Sequence, residues 1–206
     1  MKVDDYTFRQ LFNNWVIFEK QRDIRRLKKF RWKTFPLLGY FFVDTDSELS
    51  LRLIGSLLKG KDEIKVDEKT VNDNVVIKAS RIGKRTCELL DKNIIETVKG
   101  IKSIEANLNY IKDDQLNLGK TRLKEELDPF RDEVIVDDLL ATYKLDNNNE
   151  ENLWVTVEGL MKDDKTYICL LEEDSILDPK YKKGEMVGVR LIDNVLRIVG
   201  PLKPKE

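Results

Sequence analysis

The sequence predicts an α+β protein: an N-terminal α/β half with a small sheet and several helices, followed by a small antiparallel β-rich unit. Three observations predict it. Apolar residues recur at three- and four-residue spacing through much of the first 127 positions, as in Phe8, Leu11, Phe12, Trp15 and Phe18. They alternate with polar residues from about Glu133 onward, as in Leu153, Val155 and Val157. The 206 residues, 41% hydrophobic and 36% charged, suffice for a buried core without disulfide or metal staples.

The elements follow in order. Tyr6 to about Phe30 reads as a helix whose apolar face continues through Ile24 and Leu27. Leu37-Leu-Gly-Tyr-Phe-Phe-Val43, bounded by Pro36 and Asp44, has the unbroken apolar character of a strand buried on both faces. Thr45-Asp-Ser-Glu48 has capping-box spacing, and Leu49, Leu53, Ile54, Leu57 and Leu58 form a stripe ending at Gly60, which predicts a second helix. Ile64–Val66 and Val75–Ala79 are strand candidates on either side of the turn-forming Asn72-Asp-Asn74. Helices are expected over 81–92 and 94–112, the latter carrying Ile94, Val98, Ile101, Ile104, Leu108 and Ile111, and over Lys120–Leu127 before Pro129.

Beyond Glu133 the pattern is β. A strand through Leu139–Leu145 ends at Asp146-Asn-Asn-Asn149, Leu153–Val157 pairs as a hairpin with Tyr167–Leu171, and Lys182-Lys-Gly184 turns into Met186–Ile192. Asp193-Asn194 then turns into Val195–Val199. These assignments divide the chain into residues 1–130, an α/β domain, and 131–206, a β-rich domain.

Composition narrows the chemistry. The chain has no histidine, which removes Ser-His, Cys-His and His-zinc sites. Its two cysteines, Cys87 and Cys169, fall short of a four-cysteine zinc site and read as small core residues; any metal would be a hard cation on carboxylates. The pattern implies no cofactor. No apolar run reaches the length of a membrane span, and the first residues lack a secretory pattern, so a cytoplasmic location without membrane association is expected.

Charge is segregated. Lys20, Arg22, Arg25, Arg26, Lys28, Lys29, Arg31 and Lys33 face a single acid, Asp23, and are interleaved with Phe30 and Trp32. Cations and aromatics so arranged suit phosphates and bases, but long cationic side chains also serve as an ordinary solvated helix face. Residues 144–178 carry ten acids against three lysines. Within them Trp154, close to Glu150 and Glu151, has two readings: an exposed recognition aromatic, or a cap on the core of a small sheet.

Motifs of catalysis are thin. Gly83-Lys-Arg85 and Gly119-Lys-Thr121 lack the earlier glycine of a phosphate loop. Asp44, Glu63 and Lys65 have the acid-x-lysine character of Mg²⁺-dependent nucleases.

Glu151-Asn-Leu-Trp154-Val-Thr-Val157, Leu177-Asp178-Pro179 and Lys183-Gly184-Glu185-Met-Val187 resemble the YegJ-like bacterial family of unknown function, over roughly residues 137–199. The resemblance implies a small α+β or barrel-like module and brings no catalytic residues.

The function expected from these features is a non-enzymatic protein–protein interaction module of bacterial or phage origin, immunity-like or inhibitor-like, with an unidentified protein partner. Its binding residues are Arg22, Arg25, Arg26, Lys28, Lys29, Arg31, Trp32 and Lys33 on the basic segment, and Glu150, Glu151 and Trp154 on the acidic one. The alternatives are nucleic-acid binding through the basic segment and, third, a Mg²⁺ nuclease.

Overall fold

The computed structural model describes residues 1–20, 36–60, 64–67, 75–112, 118–145 and 148–202, with side chains inside 106–112 described only at Leu108. Two compact units emerge, Met1–Tyr110 and Ile111–Glu206. Strand predominates over helix among the described residues.

The first unit is built on β1 (Trp15–Phe18), β2 (Leu37–Val43), β3 (Leu49–Lys59), β4 (Ile64–Asp67), β5 (Val76–Lys78), β6 (Glu88–Leu89) and β7 (Val98–Lys99). They form one sheet in the order β6-β1-β2-β3-β4-β7, with β5 pairing β3 beside β4. The short helices α1 (Phe8–Leu11), α2 (Ala79–Ile82) and α3 (Lys92–Glu96) and the longer α4 (Ile101–Lys112) accompany the sheet. Successive residues of a strand point to opposite faces, so a sheet covered on both sides needs unbroken apolar strands. β1 and β2 meet this requirement: Val16, Phe18, Leu37 and Phe41 pack with Val3, Leu11 and Ile82 on one face, while Trp15, Ile17, Leu38 and Tyr40 pack with Ile95, Ile101 and Leu108 on the other.

The helix expected over Tyr6–Phe30 is corrected to α1 followed by β1, its remainder beyond position 20 lying outside the described residues. Asn13, at φ 59°, turns the chain, and the Asn14 side-chain amide donates to the Gln10 and Phe12 carbonyls. An asparagine pair that satisfies backbone groups locally ends a helix that apolar spacing alone would extend.

The helix expected over Leu49–Leu58 is instead the longest strand of this sheet. The residues read as a capping box form the β2–β3 loop: Asp44 accepts from the amides of Asp46 and Glu48, and Ser47 sits at φ 59°. Leu49, Leu51 and Leu53 also recur every second residue, and pairing with β2 on one side and with β4 and β5 on the other selects that period. Gly55 admits β4, since a Cβ there would stand 2.6 Å from the Asp67 carbonyl oxygen.

The helix expected over 81–92 reduces to α2, with β6 beyond it. The one expected over 94–112 is α3, then β7, then α4, and Gly100 at φ 87° makes the break. The helix expected over Lys120–Leu127 is α5 (Leu118–Arg122) followed by a 3₁₀ run, Glu125–Phe130, that contains Pro129.

The second unit is a closed five-stranded barrel of β8 (Asp138–Lys144), β9 (Glu150–Leu160), β10 (Tyr167–Leu171), β11 (Met186–Ile192) and β12 (Val195–Pro201). Neighbours in sequence pair antiparallel; an odd number of alternating strands must close with one parallel pair, here β12 on β8 through Arg197 and Thr142. The unit is therefore not wholly antiparallel, as its pattern suggests. The β11–β12 turn places Asp193 and Asn194 at φ 50° and 59°, the left-handed pair that a two-residue hairpin requires. Inward residues Leu139, Ala141, Leu153, Val155, Cys169, Leu171, Val187, Val189 and Leu196 fill the interior. Leu118 and Leu127 join this core, so the segment carrying α5 packs with the barrel.

Candidate functional site on the outer face and end loop of the barrel

Along β9 the core takes Leu153, Val155 and Val157, which leaves Trp154 and Thr156 on the outer face. Trp154 is half-buried and outside the barrel core, directly across from Leu140 on β8. The next row along the strands runs Asp138, Thr156, Leu170 and Met186. An apolar surface of Leu140, Trp154, Leu170 and Met186, all half-buried, thus borders a polar centre at Thr156.

That centre is short of protons. Thr156 Oγ1 lies 2.6 Å from Asp138 Oδ1 and 3.0 Å from Glu172 Oε1. A hydroxyl has one hydrogen and can donate to one carboxylate at a time. Burial raises the Asp138 pKa; the Thr156 bond opposes this, and the charges of Glu172, Asp132 and Asp137 push it further up. Lys183 stands 3.6 Å from the other Glu172 oxygen, and Glu173 accepts from the Trp154 amide at 2.9 Å.

The loop between β10 and β11, at one end of the barrel, sends Tyr181 into the core. Glu151 is its anchor: its carboxylate accepts from Ser175 Oγ at 2.5 Å, the Ile176 amide at 2.8 Å and the Leu177 amide at 3.3 Å. Burial works against the charged form, but these three donors outweigh it and hold the pKa of Glu151 below its ordinary value. Ser175 Oγ in turn accepts from the Asp178 amide, and the Asp178 carboxylate accepts from the Lys180 amide and from the Tyr143 hydroxyl at 2.8 Å. The Tyr181 ring, carried by the loop itself, lies 4.5 Å from the Tyr143 ring of β8. Between the buried Ser175 and Asp178, Ile176 stands 91% exposed.

The three described binding residues predicted from sequence therefore separate. Trp154 is on the outer face, Glu150 pairs with Arg197 at 3.2 Å, and Glu151 is committed to the end loop. The predicted Arg22, Arg25, Arg26, Lys28, Lys29, Arg31, Trp32 and Lys33 lie outside the described residues. The sequence reading missed Asp138, Thr156, Glu172 and Ile176; only strand register brings the first three together, although the outward parity of Thr156 beside Trp154 was a signal.

Asp44 and Lys65 do not converge. Asp44 lies in the β2–β3 loop, where Val43 pairs Leu49, whereas Lys65 pairs Leu58 near the other end of β3. At about 3.3 Å per residue the strand separates them by roughly 30 Å; Glu63 lies outside the described residues. Asp44 is engaged with Lys78 at 2.6 Å instead. Both thiols are buried, and burial pushes that of Cys169 well above its ordinary pKa, which suits a core residue rather than a nucleophile. Among the described residues no group of three potential ligands could hold a metal ion, and no helix is long and apolar enough to cross a membrane.

No family model, no curated protein and no solved structure matches the chain.

Proposed function

We propose that the chain is a non-enzymatic interaction protein, of the immunity-like or inhibitor type, and that the outer face of the barrel is the surface on which a protein partner docks. The observation that carries this reading is the placement of Trp154 and Leu140 beside two carboxylates that share one hydroxyl proton. Aromatic side chains supply contact area at low entropic cost, and under-neutralised carboxylates at the rim favour a cationic partner and speed its approach. The same negative rim repels phosphates, which favours a protein over a nucleic acid on this face. The bacterial or phage origin of the module rests on the YegJ-like resemblance of residues 137–199.

Nucleic-acid binding through Lys20–Lys33 is the second reading, supported by eight cations within fourteen residues. The two part in one experiment: affinity capture from cell lysate with and without nuclease, using wild type, Asp138→Lys/Glu172→Lys, and a variant with the cations of 20–33 changed to Ala. Retention of a stoichiometric protein after nuclease, lost in the Asp138/Glu172 variant, is the expected result. Retention that depends on nucleic acid and on the 20–33 cations would replace this reading with the second.

A further inference from the structure

Ile176 differs from the other exposed apolar residues. Val134, Val199 and Leu123 are 48–60% exposed, whereas Ile176 reaches 91% and is followed by Leu177 at 38%. Isolated apolar residues on a surface are common and by themselves carry no meaning. Here the backbone around the residue is over-determined.

The amides of Ile176 and Leu177 both donate to Glu151, which also holds the Ser175 hydroxyl. Ser175 N donates to the Tyr181 carbonyl, and Tyr181 N to the Asp178 carbonyl. Ser175 is 6% exposed, Asp178 9% and Tyr181 7%. The chain is therefore tied down on both sides of a two-residue apolar tip, and the tie runs to the barrel wall through β9. A rigid loop loses little conformational freedom when a partner closes over it, which is the condition under which one apolar side chain becomes an energetic anchor.

The surroundings define what fits. Glu173 and Asp174 are exposed just before the tip and Glu172 is half-buried at the start of the loop; Lys182 pairs with Asp174 and Lys183 with Glu172, yet five acids against three lysines over 172–185 leave the loop net negative. A pocket that accepts Ile176 meets this negative approach and is complementary when its own rim is cationic. We propose that the Ile176–Leu177 tip is a preformed anchor for a protein partner presenting an apolar pocket edged by Lys or Arg. The inference rests on the interaction reading and adds to it a second contact point and the chemistry of the partner.

The test uses the full chain and a random cyclic-peptide library as the probe. Peptides selected on wild type are measured by titration against wild type, Ile176→Ala, Ile176→Asp, Glu151→Gln and Trp154→Ala, each first checked for an unchanged circular dichroism spectrum. The expected peptides combine apolar residues with Lys or Arg. They weaken about ten- to thirty-fold on Ile176→Ala, in the range of interface hot spots, and further on Ile176→Asp. They also weaken on Glu151→Gln, which keeps the isoleucine but loosens the loop, and raising salt from 0.05 to 0.5 M lowers their affinity.

Peptides that ignore Ile176→Ala but are lost on Trp154→Ala would overturn the anchor and leave the interaction reading standing. Failure to select any saturable peptide would overturn the anchor and count against the interaction reading as well. A wild-type affinity in Glu151→Gln would remove the role of preorganisation and with it the proposal as stated.

Discussion

Arg122 grips Asp137 with both arms of its guanidinium, Nε to Oδ1 at 3.0 Å and Nη2 to Oδ2 at 2.5 Å, and the Asp137 side chain has no solvent exposure. The pair ties α5 to the residue that precedes β8. Removing one partner of such a pair strands the other charge away from water, at a cost of about 3–5 kcal/mol. Arg122→Ala is therefore expected to lower the urea unfolding free energy of the barrel by that amount, whereas Arg122→Met/Asp137→Leu is expected to recover most of it. A loss below 1 kcal/mol in the single variant would show that water reaches Asp137.

How much of this was legible in sequence depends on which period the surroundings select. The barrel strands were legible because Leu139–Tyr143 and Leu153–Val157 alternate, and alternation has one structural meaning. In the first unit Phe8, Leu11, Phe12 and Trp15 fit a helix, but Asn13 and Asn14 end it, and Trp15–Phe18 then satisfies a two-sided sheet. Leu49–Leu58 fits both periods, and the choice was made by β2, β4 and β5, which no local window contains. The site divides likewise. Alternation alone put Trp154 on the face of β9 opposite Leu153 and Val155 but left it open between a recognition aromatic and a cap on the core, while Asp138 and Glu172 meet at Thr156 only through pairing across three strands. Ile176 lies in a loop where no periodicity operates, and its exposure follows from hydrogen bonds to a residue 25 positions earlier.

Glu151 gives a pH-dependent prediction. Its folded pKa lies below the unfolded value, near 4.3, so its contribution is complete above that value and is lost as pH falls through the folded pKa. Glu151→Gln is expected to lower the Tm at pH 7, with the difference from wild type shrinking below about pH 4. Thermal melts of both proteins between pH 3 and 7 check this, and a difference that stays constant across the range would remove the carboxylate charge as its cause.

Asp138 behaves with the opposite sign. Burial raises its folded pKa above the unfolded value, so the folded state binds more protons, and stability falls as pH rises through the interval between the two. Asp138→Asn keeps an oxygen to accept from Thr156 and removes the charge beside Glu172. It is expected to equal or exceed wild type in Tm at pH 7, and to lose that relative advantage near pH 3.5, below the ordinary aspartate value of about 3.9. A variant less stable than wild type at pH 7 by more than about 1 kcal/mol, the worth of an ordinary hydrogen bond, would show that the Asp138 charge is satisfied.

Lys78 closes the β2–β3 loop by reaching Asp44 at 2.6 Å, Asp46 at 2.9 Å and Glu48 at 3.5 Å, with its side chain 21% exposed. Burial works against the Asp44 carboxylate, but Lys78, Ser50 and the amides of Asp46 and Glu48 hold its pKa below the ordinary value. Lys78→Met takes away the only ammonium paired with Asp44 among the described residues and leaves three carboxylates facing one another. The expected loss is about 1–3 kcal/mol at pH 7, the range for hydrogen bonds to charged groups. It should diminish as pH falls through the folded pKa of Asp44, because protonation relieves the repulsion. The wild-type Tm is expected to be unmoved by millimolar Mg²⁺, since the ammonium already occupies the position that a divalent ion would need, whereas Lys78→Met should gain stability when Mg²⁺ is added. A rise in wild-type Tm with Mg²⁺ would instead place a cation site on the molecule and return the hard-metal reading of Asp44 to contention.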